Sequence, residues 1–341
     1  MPDRDAAIAA FVEDAGWSDA TLAPLAGDAS NRRYLRLTRD APPGRAVLMD
    51  APSDKGEDVR PFIAIATYLA RAGFSAPVIY AADEGQGFLL LEDLGDDLFA
   101  RVIPSEPELE NSLYSCATDV LVRLHDTPPP DGLATYSISV MTEMAALSYD
   151  WYRTASLGPD DAARARFARA MGACLTAQAP EQDVLIQRDY HSENLLWLSG
   201  REGVARVGLL DFQDAMLGHR AYDLVSLLQD ARRDVPPEIE RAMIARYCTA
   251  TGQDKDRFDA AYHALGAQRN LRILGVFARL CLRDGKAHYV DLIPRVWGLL
   301  LRDLAHPALE ELRRIVLSDL PPPGADLCKD LKDKCATLRV Q

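Results

Sequence analysis

The stretch I-Q-R-D-Y-H-S-E-N-L-L-W at residues 186–197, followed after a short spacer by V-G-L-L-D-F-Q-D at 207–214, decides the reading of this chain. It sets a carboxylate, Asp189, five residues before an amide, Asn194, and ends a second apolar run with another carboxylate, Asp211. Transfer of a phosphoryl group from a nucleotide needs three such polar groups: one carboxylate to orient an attacking hydroxyl, and an amide oxygen with a second carboxylate to hold Mg²⁺ on the phosphates. The local pattern suits that task. Val184 to Gln187 is a short apolar segment able to enter the core as a strand. Asp189 to Asn194 carries no helical periodicity, so it reads as a loop that can turn both side chains the same way. Leu195, Leu196 and Trp197 re-enter the core, and Arg206 to Leu210 delivers Asp211 at its end. One Asn and one Asp, completed by phosphates and water, is a donor set suited to Mg²⁺.

Working outward, the first ninety residues predict α+β structure. A helix is expected over residues 5–15, and strands near 21–26, 33–37 and 46–50. A second helix over 58–72 turns Phe62, Ile65, Ala66 and Leu69 inward and ends at Gly73. Two more strands, near 77–81 and 87–91, complete a five-stranded antiparallel sheet. From Ser105 onward helical spacing dominates, over 108–125, 138–156, 161–177, 222–232, 238–250, 257–283, 289–304 and 307–316. Asp223 opens the apolar run L-V-S-L-L, where a capping or loop-anchoring role is expected.

Composition narrows the class. At 341 residues the chain is long enough for two cores. A formal charge of −13 argues against a nucleic-acid surface, which needs clustered Lys and Arg. No segment approaches the roughly 20 apolar residues of a membrane span, and the N-terminus lacks the apolar core of a secretion signal. The six cysteines show no C-x-x-C spacing, so reduced thiols and a cytoplasmic setting are expected. No obligate protein partner is evident.

The motifs resemble the aminoglycoside phosphotransferase and choline kinase superfamily. Asp189, Tyr190, His191 and Asn194 stand where that family has D-L-H-x-x-N, and Asp211 to Asp214 where it has I-D-W-x-D or D-F-G. Residues 217–224, L-G-H-R-A-Y-D-L, look like its G-D-P-x-Y-D-L-A segment. The resemblance implies an α+β, bilobal, protein-kinase-like fold. Residues 1–91 would form the nucleotide-binding lobe, with a five-stranded antiparallel sheet plus helix. Residues 92–97 would be the hinge, and 98–341 a larger, mostly helical lobe with the acceptor site. It implies ATP and Mg²⁺ as cofactors, Asp189 as catalytic base, and Asn194 and Asp211 as metal ligands. Glu92 and Leu94 fall in the hinge that would grip the adenine. Ser30, Asn31, Arg32 and Arg33 fall in a small-residue loop that could cradle phosphates, although a plain turn between strands reads as well.

Two positions depart from the family pattern. Gln187 replaces a His or small apolar residue. Met49 stands where a strand lysine would clamp the phosphates, so Arg32, Arg33 or Arg60 is expected to supply the charge.

Further stretches are similar to one branch of the superfamily, the bacterial kinases that phosphorylate N-acetylmuramate and N-acetylglucosamine at C1 in cell-wall recycling. They are G-D-A-S-N-R-R-Y from Gly27, R-P-F-I-A-I-A from Arg60, F-L-L-L-E-D-L-G-D from Phe88, and Q-R-N-L-R-I-L-G-V-F-A-R-L-C-L-R-D-G-K from Gln268. This branch implies a small amino sugar as acceptor. The carboxylate of muramate would then be met by Arg269 or Arg272, three apart on one helix face; solvated or locally paired arginines are the plainer alternative. Two other functions remain open: phosphorylation of another alcohol (an aminoglycoside, choline, homoserine or fructosamine), or a pseudokinase that holds nucleotide without transfer.

Overall fold

The structure, a computed structural model, describes residues 4–25 and 31–337. The helices are α1 (Arg4–Asp14), α2 (Arg60–Arg71), α3 (Phe99–Ser105), α4 (Glu110–His125), α5 (Ile138–Leu147), α6 (Thr154–Leu157), α7 (Asp161–Gln178), α8 (Tyr222–Leu228), α9 (Pro237–Thr251), α10 (Lys255–Leu282), α11 (Ile293–Leu304), α12 (Glu310–Asp319) and α13 (Ala325–Asp333). The strands are β1 (Thr21–Pro24), β2 (Arg33–Thr38), β3 (Arg45–Asp50), β4 (Ile79–Asp83), β5 (Phe88–Glu92), β6 (Val184–Ile186), β7 (Leu195–Trp197), β8 (Val207–Leu209) and β9 (Met216–Gly218). They form two compact units. One is the chain up to Arg123 together with Ser192–Ala215; the other is Leu124–His191 together with the chain from Met216 onward.

In the first unit, β1-β2-β3-β5-β4 make an antiparallel sheet in that order, the five-stranded sheet that was expected. The register sets Leu35 opposite Leu48, Leu37 opposite Ala46 and Leu48 opposite Leu90. That face packs with Phe88 against Ile8, Phe11 and Val12 of α1 and against Trp17. The pleat turns Tyr34, Met49 and Leu89, which are mutual register partners, to the other face. On α2, Phe62, Ile65, Ala66 and Leu69 are buried at helical spacing.

A two-stranded ribbon of β7 and β8 pairs Leu195 with Leu209 and Trp197 with Val207. It belongs to this same unit because bonds hold it there. Ser75 bridges Gly208, the Ser75 hydroxyl donates to the Ala205 carbonyl at 2.7 Å, and Leu98 bridges Leu196. Residues 98–123 and 192–215 thus group with the N-terminal sheet, whereas the sequence reading assigned everything beyond residue 97 to the second lobe.

The second unit is built on α10, whose side chains are buried almost all round from Phe258 to Leu282. A helix of that kind is a core element. It packs on α5, α7, α8, α11 and α13. Its Gly275 is a point of backbone contact: a Cβ there would lie 2.2 Å from the Leu147 carbonyl carbon and 2.5 Å from the Ser148 nitrogen. At that junction α5 passes into a π-helical turn, Ser148–Arg153, before α6. Gly275→Ala is therefore expected to lower stability by about 3 kcal/mol, because neither backbone can retreat from a dense core. A urea midpoint unchanged from wild type would show that the two backbones are not in contact.

Several expected elements differ in detail. The helix foreseen over 138–156 is split by the π turn, a feature without side-chain periodicity. The one foreseen over 289–304 begins as a 3₁₀ segment, Ala287–Leu292, because Pro294 sits at the start of α11. Strand β9, which pairs Val184 with Gly218 and Ile186 with Met216, was not foreseen, nor were α3 and α13. Three-residue strands and one- or two-turn helices are too short to show a period. No helix among the described residues is long and apolar enough to cross a membrane.

Candidate active site

The Asp189 loop is held by its backbone. Strand β6 ends at Ile186, and the next two N–H groups, of Gln187 and Arg188, donate to the Asp223 carboxylate at 2.6 and 2.9 Å. Asp223 lies at the N-terminus of α8 and is fully buried, so the loop-anchoring role expected of it is the one it fills. Burial pushes its pKa up to about 7, against the two N–H donors that favour the ionised form. Arg188 adopts φ +72°, a left-handed conformation that costs a bulky residue roughly 1–2 kcal/mol. The Asp223 bonds on one side and the Ser226 hydroxyl, donating to the Arg188 carbonyl at 3.2 Å, offset that strain. Arg269 of α10 donates in turn to Ser226 Oγ at 2.9 Å. The loop conformation is therefore a product of α8 and α10.

Asp189 emerges from this frame half-buried. Burial alone would raise its pKa, but Arg272, Arg269, His191 and Arg188 together hold it below the ordinary carboxylate range. At neutral pH it is an ionised base. His191 is buried, and burial with Arg232 and Arg269 nearby lowers it to about 4, despite Asp230 and Asp189. It is neutral at physiological pH, with Arg232 Nη1 at 3.5 Å from its Nε2. That fits a structural role beside the base better than an acid–base role.

The candidate metal ligands lie in the other unit, at the open end of the β7–β8 ribbon. The Leu210 N–H donates to the Asn194 carbonyl at 3.0 Å, extending the ladder by one step and bringing Asn194 beside Asp211. Asn194 Nδ2 approaches Asp211 Oδ2 at 3.4 Å, and Gln213 Nε2 donates to Asp211 Oδ1 at 2.6 Å. Asp211 itself has φ +57°, which turns its carboxylate out of the strand direction. Phe212 is buried next to it, its ring 4.9 Å from that of Phe62 on α2. The Asn194 amide oxygen and the Asp211 carboxylate are two hard oxygen donors on adjoining side chains. Among the described residues no three His, Cys, Asp or Glu side chains gather as a closed metal cage. An open pair of oxygens, completed by phosphate and water, is the donor chemistry Mg²⁺ accepts.

The expected nucleotide residues are distributed unevenly. Ser30 lies outside the described residues. Asn31 bonds through its N–H to Glu57 Oε1 and through its amide to the Lys55 carbonyl, both at 3.2 Å. Arg32 Nε donates to Glu57 Oε2 at 2.8 Å, with side-chain exposures of only 14% and 12%. Arg33 is on β2 opposite Asp50, to which its guanidinium binds at 2.7 Å, on the face of the sheet away from Met49. Arg60 is exposed and paired with Asp58. Met49 is buried in β3, so the strand offers no cation there.

The 92–97 segment is pinned from two directions. Arg201 binds Glu92, and Arg36 binds Asp93 at 2.8 Å and Asp96 at 2.9 Å. Leu94 packs where Gly208 leaves room for it. Arg269 and Arg272 flank Asp189, as described. The sequence reading missed Ser226, Arg188, Glu57 and Gln213; of these only Gln213, two residues after Asp211, carried a signal of proximity.

Comparison with known proteins identifies the family of the chain. The family model described as "Phosphotransferase enzyme family" matches residues 21–261. An N-acetylmuramate/N-acetylglucosamine kinase of Caulobacter vibrioides is 41% identical, covering 91% of this chain and 95% of its own. One of the same name from Pseudomonas aeruginosa is 34% identical, over 91% and 92%. Among solved structures, an ethanolamine kinase of Plasmodium vivax superposes with a TM-score of 0.59 at 12% identity, covering 90% of this chain and 87% of that one. The ADP-bound aminoglycoside phosphotransferase APH(2'')-Ib gives 0.59 at 13%, over 90% and 99%. At those identities the structural likeness speaks for the fold.

Proposed function

This chain belongs to the phosphotransferase enzyme family, and from that premise we propose that it transfers the γ-phosphoryl group of ATP to the C1 hydroxyl of N-acetylmuramate or N-acetylglucosamine. The observation that carries the chemistry is Asp189, ionised among arginines on a loop anchored by Asp223. The curated relatives, all named for those two sugars, support the acceptor.

In this reading Asp189 accepts the hydrogen bond and then the proton of the C1 hydroxyl. The sugar oxygen forms its bond to the γ-phosphorus while the bond from that phosphorus to the β-bridging oxygen breaks, and ADP departs with the electron pair. An anomeric hydroxyl is more acidic than an ordinary alcohol, so a carboxylate held below its usual pKa is still a sufficient base. Asn194 and Asp211 would hold Mg²⁺, which would neutralise charge on the phosphates. In this reading the protein works in the cytoplasm, where ATP is supplied.

For the missing strand lysine the reading selects Arg32. Its guanidinium is held by Glu57 and hydrogen-bonds Tyr34, so the cation is fixed in place. Arg33 is committed to Asp50 on the other face of the sheet, and Arg60 is solvated. Arg32→Ala is expected to lower kcat/KM for ATP by about 10²-fold, the effect of losing one positioned donor at a developing charge. Arg60→Ala should leave it within about threefold, as for surface ion pairs in general. Wild-type kinetics in the Arg32 variant would sink that assignment.

The function itself is tested by incubating the protein with ATP and Mg²⁺ and a panel of N-acetylmuramate, N-acetylglucosamine, an aminoglycoside, choline and homoserine. An acid-labile sugar phosphate with an anomeric phosphorus–proton coupling is the expected product. Turnover of another alcohol with none of either amino sugar would replace this reading by its neighbour in the family. Nucleotide binding without turnover of any acceptor would favour a pseudokinase, against which the presence of Asp189, Asn194 and Asp211 together speaks.

A further inference from the structure

We propose that Cys281 and Cys335 are a redox-active pair, which a peroxide closes to an intramolecular disulfide that ties helix α13 to α10. The proposal stands apart from the functional reading above, because neither thiol belongs to the Asp189 loop or to the Asn194–Asp211 pair.

The pairing follows from how two helix ends satisfy each other. The last carbonyls of a helix have no N–H partner within it. Helix α10 ends at Leu282, so the Cys281 carbonyl takes donors from beyond the helix. It accepts from the Gly285 N–H at 3.1 Å, the Ala336 N–H at 3.0 Å and the Cys335 thiol at 3.2 Å. Helix α13, which ends at Asp333, has the same requirement, and the Cys281 thiol donates to its Leu331 carbonyl at 3.5 Å. Each thiol thus helps to cap the other's helix end, and the two sulfurs lie within hydrogen-bond reach of each other. Both are free thiols. A disulfide needs Cα atoms about 4.4–6.8 Å apart, and residues on hydrogen-bonded backbones sit about 4.5–5.5 Å apart. Cys281 against residues 335–336 therefore suits a bridge. Cys328 offers the contrast: its thiol turns to the Pro323 carbonyl, and it stands about 10 Å of helix before Cys335.

The chemistry divides between the two sulfurs. Cys281 is enclosed, and burial with the adjoining Cys335 thiol pushes its pKa up to about 12, so it is protonated at neutral pH. Cys335 is half-buried and meets the oxidant. Its thiolate attacks one peroxide oxygen, the O–O bond breaks, and a sulfenic acid forms as water leaves. Cys281 then attacks that sulfur. The S–O bond breaks, the S–S bond forms, and hydroxide departs with the Cys281 proton as a second water. The two sulfurs lose two electrons and the peroxide gains them. The bridge has something to hold, because α13 buries one residue, Leu331. Polar contacts do the rest, among them Lys332 with Asp291 and Lys334 with the Ala155 carbonyl. A helix so lightly packed belongs to the low-stability end of local opening.

The experiment treats reduced full-length protein with hydrogen peroxide at pH 8, alkylates the remaining thiols, and maps digests with and without dithiothreitol. The expected product is one link within the chain, joining the peptides of Cys281 and Cys335 and reopened by dithiothreitol. Closing that loop should raise the melting temperature by about 5 °C over the reduced form of the same protein. Cys335→Ser should lose both the link and the rise, and Cys328→Ser should keep both. Peroxide that leaves Cys281 open to alkylation, carries Cys335 on to the sulfinic acid, or joins it to a different cysteine would overturn the pairing. A link formed with no rise in melting temperature would overturn the tether. Both readouts are free of any acceptor, so they stand whatever the kinase assay returns.

Discussion

Asp189→Asn is expected to lower kcat by about 10²–10⁴-fold at saturating ATP and acceptor, the range over which a positioned general base contributes. The carboxamide matches the carboxylate in size, so the loop bonds from Gln187 and Arg188 to Asp223 should persist and nucleotide binding should survive. Only proton acceptance is removed. The same environment sets a pH signature for the wild type. Because Arg272, Arg269, His191 and Arg188 outweigh burial and hold Asp189 below the ordinary carboxylate range, the base stays ionised down to that range. The rate should therefore show no acid limb from this group between about pH 8 and pH 5. The sign for stability runs the same way. A depressed carboxylate contributes above its unfolded pKa and ceases to do so as pH falls through the folded one, so the Asn variant should melt lower than wild type at pH 7 and approach it in strong acid. Near-normal turnover in Asp189→Asn would remove the assigned base.

Asp211→Asn is the second large effect. Asp211 sits at φ +57°, a region Asn tolerates, so the substitution leaves the backbone in place and removes one negative charge from the Asn194–Asp211 pair. Loss of a group that anchors charge stabilisation on the transferring phosphoryl should cost about 10²–10³-fold in kcat. Titration of ADP with and without Mg²⁺ provides an independent readout. Wild-type protein should bind the Mg²⁺ form more tightly, and the variant should lose that difference. An unchanged Mg²⁺ dependence would show that these oxygens do not hold the metal. Asn194→Ala should shift it in the same direction by less, since it removes a neutral donor.

How much of this was legible beforehand depended on range. Asp189, Asn194 and Asp211 could be named because five residues of loop and one short ribbon connect them, and local pattern reaches that far. The small-lobe elements were legible for a similar reason: the strands are short apolar runs between turn residues, and the α2 helix repeats apolar residues at i, i+3, i+4 and i+7. The three arginine candidates for the phosphate cation could not be ranked from sequence. Arg32 and Arg33 are neighbours in the chain, yet strand pleat sends them to different carboxylates, Glu57 and Asp50. Nor did composition reveal that Arg188 adopts a left-handed backbone, since nothing in its own side chain favours it.

Residue chemistry by itself determined which groups could carry out the reaction, because acidity, hydrogen-bonding capacity and short-range spacing belong to the chain before it folds. Tertiary structure alone decided how those groups are tuned. Asp223 reaches back 36 residues to hold the Asp189 loop, α10 brings Arg269 and Arg272 beside it from some 80 residues away, and the β7–β8 ribbon joins the N-terminal sheet through Ser75. Burial and long-range pairing set the charge state of a carboxylate, and both come into being only when distant segments exclude water from the same place.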